Sequence, residues 1–183
     1  MDAALRTELE RYREERDAFF RSHPRSPLTA DQRRVFQGLR YFPEDRALRL
    51  VVPLEPYAEK QTVVLRTSTG GHQPFVRYGR LRFRVAGQDV ALSLYADSDH
   101  FFLPFADALA GSETFSAGRY LDPEALPHRQ FLLDFNRAYN PACAYNPAWS
   151  CPVAPEENGL LVPIRAGERI YDWYGPAGTG HQP

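Results

Sequence analysis

The chain has 183 residues, 22 basic against 23 acidic, a formal net charge of −1 and 43 % hydrophobic content. This length predicts one domain with a sizeable core, and the balanced charge sets aside a nucleic-acid or anionic-membrane surface, which needs a clustered basic excess. Lys60 is the only lysine, and its surroundings, Tyr57-Ala58-Glu59-Lys60-Gln61-Thr62, lack both the glycines of a phosphate-binding loop and the apolar pocket of a Schiff-base lysine.

Residues 2–21 predict an amphipathic helix, with Leu5, Leu9, Tyr12, Phe19 and Phe20 on one side and interleaved Arg and Glu on a solvated face. His23-Pro24 and Ser26-Pro27 end it. A second, shorter helix is predicted from Thr29, where Gln32 completes a Thr-x-x-Gln capping box, with Val35, Phe36 and Leu39 as its apolar stripe. From Tyr41 the hydrophobic period becomes two. Strands are expected at Leu48–Leu54 and Thr62–Thr67, followed by a turn at Ser68–Gly71. The clearest hairpin is 80–95. A Gly87-Gln88 turn pairs Ala86 with Asp89, placing Leu81, Phe83 and Val85 on a face with Val90, Leu92 and Leu94. Arg80, Arg82 and Arg84 share the other face with Ala91, Ser93 and Tyr95. That face is either solvent or, in a curled sheet, a pocket wall for an anion. Later strands are predicted at Phe101–Phe105, Arg119–Leu121, Gln130–Phe135, Leu160–Ile164 and Arg169–Trp173. Gly175–Pro183 read as a flexible tail.

The fold expectation is therefore mainly β (α+β): a curved antiparallel sheet, sandwich or barrel with two N-terminal helices. Residues 1–40 form a helical segment packed on a β-rich domain at 41–174, with the tail at 175–183. No apolar run approaches 18 residues, and the charged N-terminus is unlike a secretory signal, so a cytoplasmic protein without membrane contact is expected, with reduced cysteines.

Between 101 and 168, glycines, prolines and short polar residues punctuate apolar pairs. Three stretches stand out. The first is Phe105-Ala106-Asp107 with Gly111 and Gly118-Arg119-Tyr120. The second is Asp134-Phe135-Asn136, then Tyr139-Asn140-Pro141 and Cys143-Ala144-Tyr145. The third is Cys151-Pro152 with Glu157-Asn158-Gly159-Leu160 and Ile164-Arg165-Ala166-Gly167-Glu168. On these elements the chain resembles the bacterial and archaeal domain-of-unknown-function family numbered 1684, from about Ser26 to Glu168. Leu109 departs from the pattern, where a threonine is expected. The resemblance implies no particular activity.

Asp134, Asn136 and Asn140 are short polar groups around a strand end. They either cap turns by accepting backbone N–H bonds or project into a cavity walled by Tyr139 and Tyr145. Arg119 beside Tyr120 either binds an anion or forms a buried pair with Asp134 or Glu168. Cys143 and Cys151 lack the two-to-four spacing and further ligands of a zinc site; buried thiols, a disulfide and a nucleophilic Cys143 remain as readings. No nucleophile–base pair and no metal or cofactor motif is assembled from the sequence. The leading expectation is a small-molecule-binding module for a small polar or anionic molecule, built from Arg119, Tyr120, Asp134, Asn136, Tyr139, Asn140, Cys143, Tyr145 and Asn158. The alternatives are a hydrolase or isomerase using Asp134 or Glu168 as general base, and a structural protein without a ligand.

Overall fold

The computed structural model describes residues 7–98 and 100–172; the predicted tail at 175–183, the start of the first predicted helix and the end of the last predicted strand lie outside these. Helix α1 spans Glu8–Ser22. Thr7 caps it in a complete capping box, accepting from the Glu10 amide while the Glu10 carboxylate accepts from the Thr7 amide. Helix α2 spans Ala30–Val35, with the predicted Thr29/Gln32 box in place. Gln32 also reaches the Tyr145 carbonyl at 2.8 Å, which ties α2 to a loop over a hundred residues away.

Seven strands follow: β1 Arg49–Arg66, β2 His72–Val85, β3 Gln88–Ala96, β4 Phe101–Phe105, β5 Arg119–Leu121, β6 Glu124–Leu126 and β7 Gln130–Asp134. All pairings are antiparallel, in the order β5-β4-β3-β2-β1-β7-β6. This order contains its own closure condition. The two edge strands, β5 and β6, are joined only by Asp122-Pro123, so Leu121 and Glu124 stand at most about 11 Å apart. A flat seven-stranded sheet would separate its edges by about 28 Å. The sheet therefore curls into a half-barrel with its two edges brought close, leaving a seam at Asp122-Pro123.

The hairpin differs from its predicted register in one respect. Val85 pairs with Gln88 and Leu81 with Leu92, so the turn is Ala86-Gly87 rather than Gly87-Gln88. Both turn residues have positive φ (48° and 76°), the type I′ signature that matches strand twist. The register is displaced by two residues, and a two-residue slip leaves every side chain on its predicted face. Leu81, Leu92 and Leu94 are accordingly buried at 0 % exposure. The two strands expected at 48–54 and 62–67 are one long strand, β1. Its register jumps between Pro56↔Gly79 and Gln61↔Arg77, so residues 57–60 stand against Tyr78 alone. The lone lysine sits on this bulge, its Nζ 3.9 Å from the centre of the Tyr78 ring.

The main core fills the inside of the curl with Leu81, Leu92, Leu103, Phe105, Leu133, Phe135 and Ile164 among others. Leu160–Ile164, predicted as a strand, is not one. Its alternation is nevertheless real, since Leu160, Val162, Ile164 and Ala166 are buried while Leu161 is 93 % exposed. The segment enters the core as an extended plug whose backbone partners are largely not strands. Arg169–Trp173 likewise forms no strand among the described residues.

Besides a cluster of Leu65, Phe75, Tyr95, Phe102 and Tyr120, a smaller core of Phe20, Leu28 and Tyr145 forms where the helices pack. The inward face of α1 carries more than the predicted apolar stripe. Leu9, Tyr12, Arg13, Arg16, Asp17 and Phe20 turn inward or lie half-buried, whereas Phe19 is 36 % exposed. Arg13 donates to the Phe42 carbonyl at 3.2 Å, Arg16 meets the Glu168 carboxylate at 2.7 Å, and the Asp17 carboxylate accepts the Leu39 amide at 2.8 Å. Charges expected on a solvated face are thus part of the packing. No helix among the described residues is long and apolar enough to cross a membrane.

Candidate functional site

Most of the polar residues singled out from the sequence are engaged by backbone. Arg119 is 1 % exposed at β5. It donates to the carbonyls of Ile164 (2.8 Å), Ala166 and Glu168 (3.0 Å), and to Asp107 at 3.2 Å. One guanidinium thus serves the carbonyls of alternate residues, the role a neighbouring strand would have played for the core plug. Its acidic partner is Asp107, not the expected Asp134 or Glu168 side chain. Asp107 also accepts from the Ile164 amide (2.7 Å) and the Thr114 hydroxyl (2.9 Å). Burial lowers the Arg119 pKa to about 10, the nearby carboxylates of Asp107 and Glu168 opposing the fall.

Asn158 and Asn136 act as side-chain peptide groups. The fully buried Asn158 amide donates to the carbonyls of Ser93 (2.9 Å) and Pro104 (2.7 Å) and accepts the Ser93 N–H (2.7 Å). Asn136 accepts the Asp45 N–H at 2.8 Å and donates to the Asp45 carbonyl at 2.9 Å. Asn140 donates to the Arg169 carbonyl, and its own amide meets Glu168. Glu168 is 1 % exposed, held by Arg16, the Asn140 amide and the Tyr145 hydroxyl. Tyr120 donates to the Pro152 carbonyl, and its backbone pairs with Tyr139.

Asp134 and Tyr139 are placed differently. They line a cleft of about 310 Å³ at the seam of the half-barrel, together with Tyr12 and Glu8 of α1, Arg49, Asp122, Glu124 and Arg137. The Tyr139 hydroxyl donates to the Asp122 carboxylate at 2.9–3.0 Å, and the Arg16 guanidinium lies 5.0 Å from the Tyr139 ring centre. Tyr12 donates to the Arg137 carbonyl at 3.0 Å, and burial pushes its pKa up to about 12. Desolvation raises the Asp122 carboxyl, the Tyr139 bond partly offsetting this, although the residue keeps an exposed side. Asp134 caps the turn at Phe135–Arg137 by accepting from the Asn136 amide (3.1 Å) and faces Arg49 at 3.6 Å and Arg137 at 3.9 Å. Four carboxylates against two guanidiniums leave the wall net acidic. Sequence reading missed Asp122, which sits at a seam defined only by strand order, and Tyr12, which was placed only on the apolar side of the first helix.

The arginine ladder faces solvent at two of its three positions. Arg82 pairs with Glu55 at 2.9 Å and Arg84 with Asp89 at 3.5 Å, all exposed, while Arg80 is half-buried near Tyr57. Ser93 and Tyr95, the donors considered for an anion, are engaged by Tyr57 and Glu157. Among the described residues no group of three or more His, Cys, Asp or Glu is placed to hold a metal ion.

A comparison with curated proteins gives no match. The chain is similar to an uncharacterized protein of Haloarcula marismortui solved by solution NMR, with 35 % identity over 88 % of this chain and 92 % of that one and a TM-score of 0.69. Residues 34–169 match the family described as "Protein of unknown function (DUF1684)". With the family pattern extending over most of the chain and the half-barrel shared with a relative at this identity, the protein belongs to the DUF1684 family.

Proposed function

We propose that the protein is a small-molecule-binding module whose ligand seat is the seam cleft. The supporting observation is the separation of roles among its polar residues. Arg119, Asn136, Asn140, Asn158, Tyr145 and Glu168 hold the core plug and loops from enclosed positions, whereas Asp122, Asp134, Tyr139 and Tyr12, which also make hydrogen bonds of their own, stand together on a concave, partly open wall. A cleft with tyrosine faces and a few convergent polar groups is the usual form of a ligand site. The excess of carboxylates favours a polar molecule rich in hydrogen-bond donors over an anion. Recognition runs through hydrogen bonds: Asp134 is held by Asn136, Arg49 and Arg137, and Glu168 is enclosed away from the cleft, so neither is poised as a general base. A cytoplasmic location, expected from the amino-acid sequence and not from the cleft, remains part of this proposal.

The test is native mass spectrometry of the purified protein, followed by amide chemical-shift titration with a panel of polar metabolites. Binding is expected to move the resonances of Tyr12, Asp122, Glu124 and Tyr139. Tyr139→Phe and Asp122→Asn are expected to abolish that binding while lowering Tm by about 2–4 °C, since one surface hydrogen bond is worth about 1 kcal/mol. Shifts mapping elsewhere, or unchanged affinity in both variants, would refute the reading.

A further inference from the structure

Cys143 and Cys151 are the only cysteines in the chain. The fold brings them face to face across a tight loop. The Cys143 amide donates to the Cys151 sulfur at 3.3 Å, which brings the two side chains to the same spot. Cys151 is 7 % exposed and Cys143 is half-buried, so the pair opens to solvent on the Cys143 side.

The Cys151 end is fixed independently of the pair. The Ser68 amide donates to the Cys151 carbonyl at 2.8 Å, the Cys151 amide donates to the Ser68 hydroxyl at 3.1 Å, and that hydroxyl donates to the Trp149 carbonyl at 3.1 Å. Thr67 adds a backbone bridge to Pro152. With the Cys151 sulfur already on the Cys143 amide, little backbone movement is needed to join the two side chains.

We propose that Cys143 and Cys151 are a reversible dithiol–disulfide site, oxidised within the chain by hydrogen peroxide. Cys151 is the attacking sulfur. The Cys143 thiol beside it and the Cys143 amide N–H at 3.3 Å lower its pKa against the opposing effect of burial, whereas Cys143 is pushed above the usual thiol range. The Cys151 thiolate attacks one peroxide oxygen; the O–O bond breaks, and the departing hydroxide takes up a proton and leaves as water. The resulting sulfenic acid is attacked by Cys143, which loses its proton as the S–O bond breaks and a second water leaves. Two thiols and one hydrogen peroxide thus give one disulfide and two waters, and exchange with a dithiol reductant reverses the step.

The experiment uses the full chain, treated with hydrogen peroxide and followed by intact mass and thiol titration. The expected result is a monomer lighter by two hydrogens, a fall from two titratable thiols to none, and recovery of both with dithiothreitol. The oxidised form is expected to melt roughly 5–10 °C higher, because a short loop is closed in the unfolded chain. In Cys143→Ser, dimedone is expected to trap a sulfenic acid at Cys151. In Cys151→Ser, the two-hydrogen loss is expected to disappear. Two persistent thiols, stepwise oxygen addition without the two-hydrogen loss, or disulfide-linked dimers would overturn the proposal; trapping only at Cys143 would overturn the order of attack.

Discussion

Asn158→Ala removes a side chain that does the work of a missing stretch of β-ladder. Strands β3 and β4 pair only at Tyr95↔Phe102 and Ala96↔Phe101. Beyond that point the Ser93 N–H and C=O and the Pro104 C=O face a gap, and the Asn158 carboxamide fills it with three hydrogen bonds of 2.7–2.9 Å at 0 % exposure. Alanine leaves three backbone groups desolvated and unpaired. At about 1 kcal/mol for each lost bond, with a further penalty for any orphan that water does not reach, the expected loss is about 3–4 kcal/mol. For a chain of this size that corresponds to a Tm lower by about 6–16 °C. Calorimetry and urea unfolding measure the loss, and amide exchange at Ser93 localises it. Asn158→Asp keeps the acceptor for Ser93 N–H but sets a carboxylate against two carbonyls, so it is expected to cost at least as much. A Tm drop below about 3 °C with Ser93 still protected would refute the role assigned to this residue, and loss of ligand binding at unchanged stability would return it to the site.

Two further substitutions test the frame. Glu168→Gln removes the charge opposite Arg16 beneath α1 and is expected to lower stability by about 2–4 kcal/mol in urea unfolding, as for a broken, largely buried ion pair. Gly167 has φ +75°, and a Cβ there would stand 2.5 Å from the Ala138 carbonyl oxygen and 2.7 Å from that of Phe135, whereas Gly70, at φ +82°, has nothing within 4 Å. Gly167→Ala is therefore expected to cost more than about 3 kcal/mol and Gly70→Ala only about 1–2; comparable melting temperatures for the two would contradict the packing described.

Local signals were reliable wherever a single segment contained its own answer. The Thr29/Gln32 capping box, the strands at Phe101–Phe105 and Arg119–Leu121, and the faces of the 80–95 hairpin follow from residues only a few positions apart. Even the hairpin's two-residue displacement preserves those faces, because side-chain alternation has a period of two and cannot distinguish registers that differ by it. The alternation at Leu160–Ile164 led to the expectation of a strand, whereas the segment is buried on alternate residues without being one. What it could not convey was that one guanidinium, from Arg119, would take the place of a neighbouring strand.

The inward charges of α1 were misassigned for a related reason. Arg13 and Arg16 read as solvated until Phe42 and Glu168, far along the chain, are placed opposite them. The sequence by itself determined a mainly β chain with two helices, the second with its capping box, one isolated lysine and a polar, aromatic segment from 101 to 168. Only the tertiary structure decided which of those polar groups hold the frame and which line a cleft. The cleft exists because strand order brings β5 and β6 to opposite edges while two residues join them, and such a seam is a property of the closed sheet that no stretch of sequence contains.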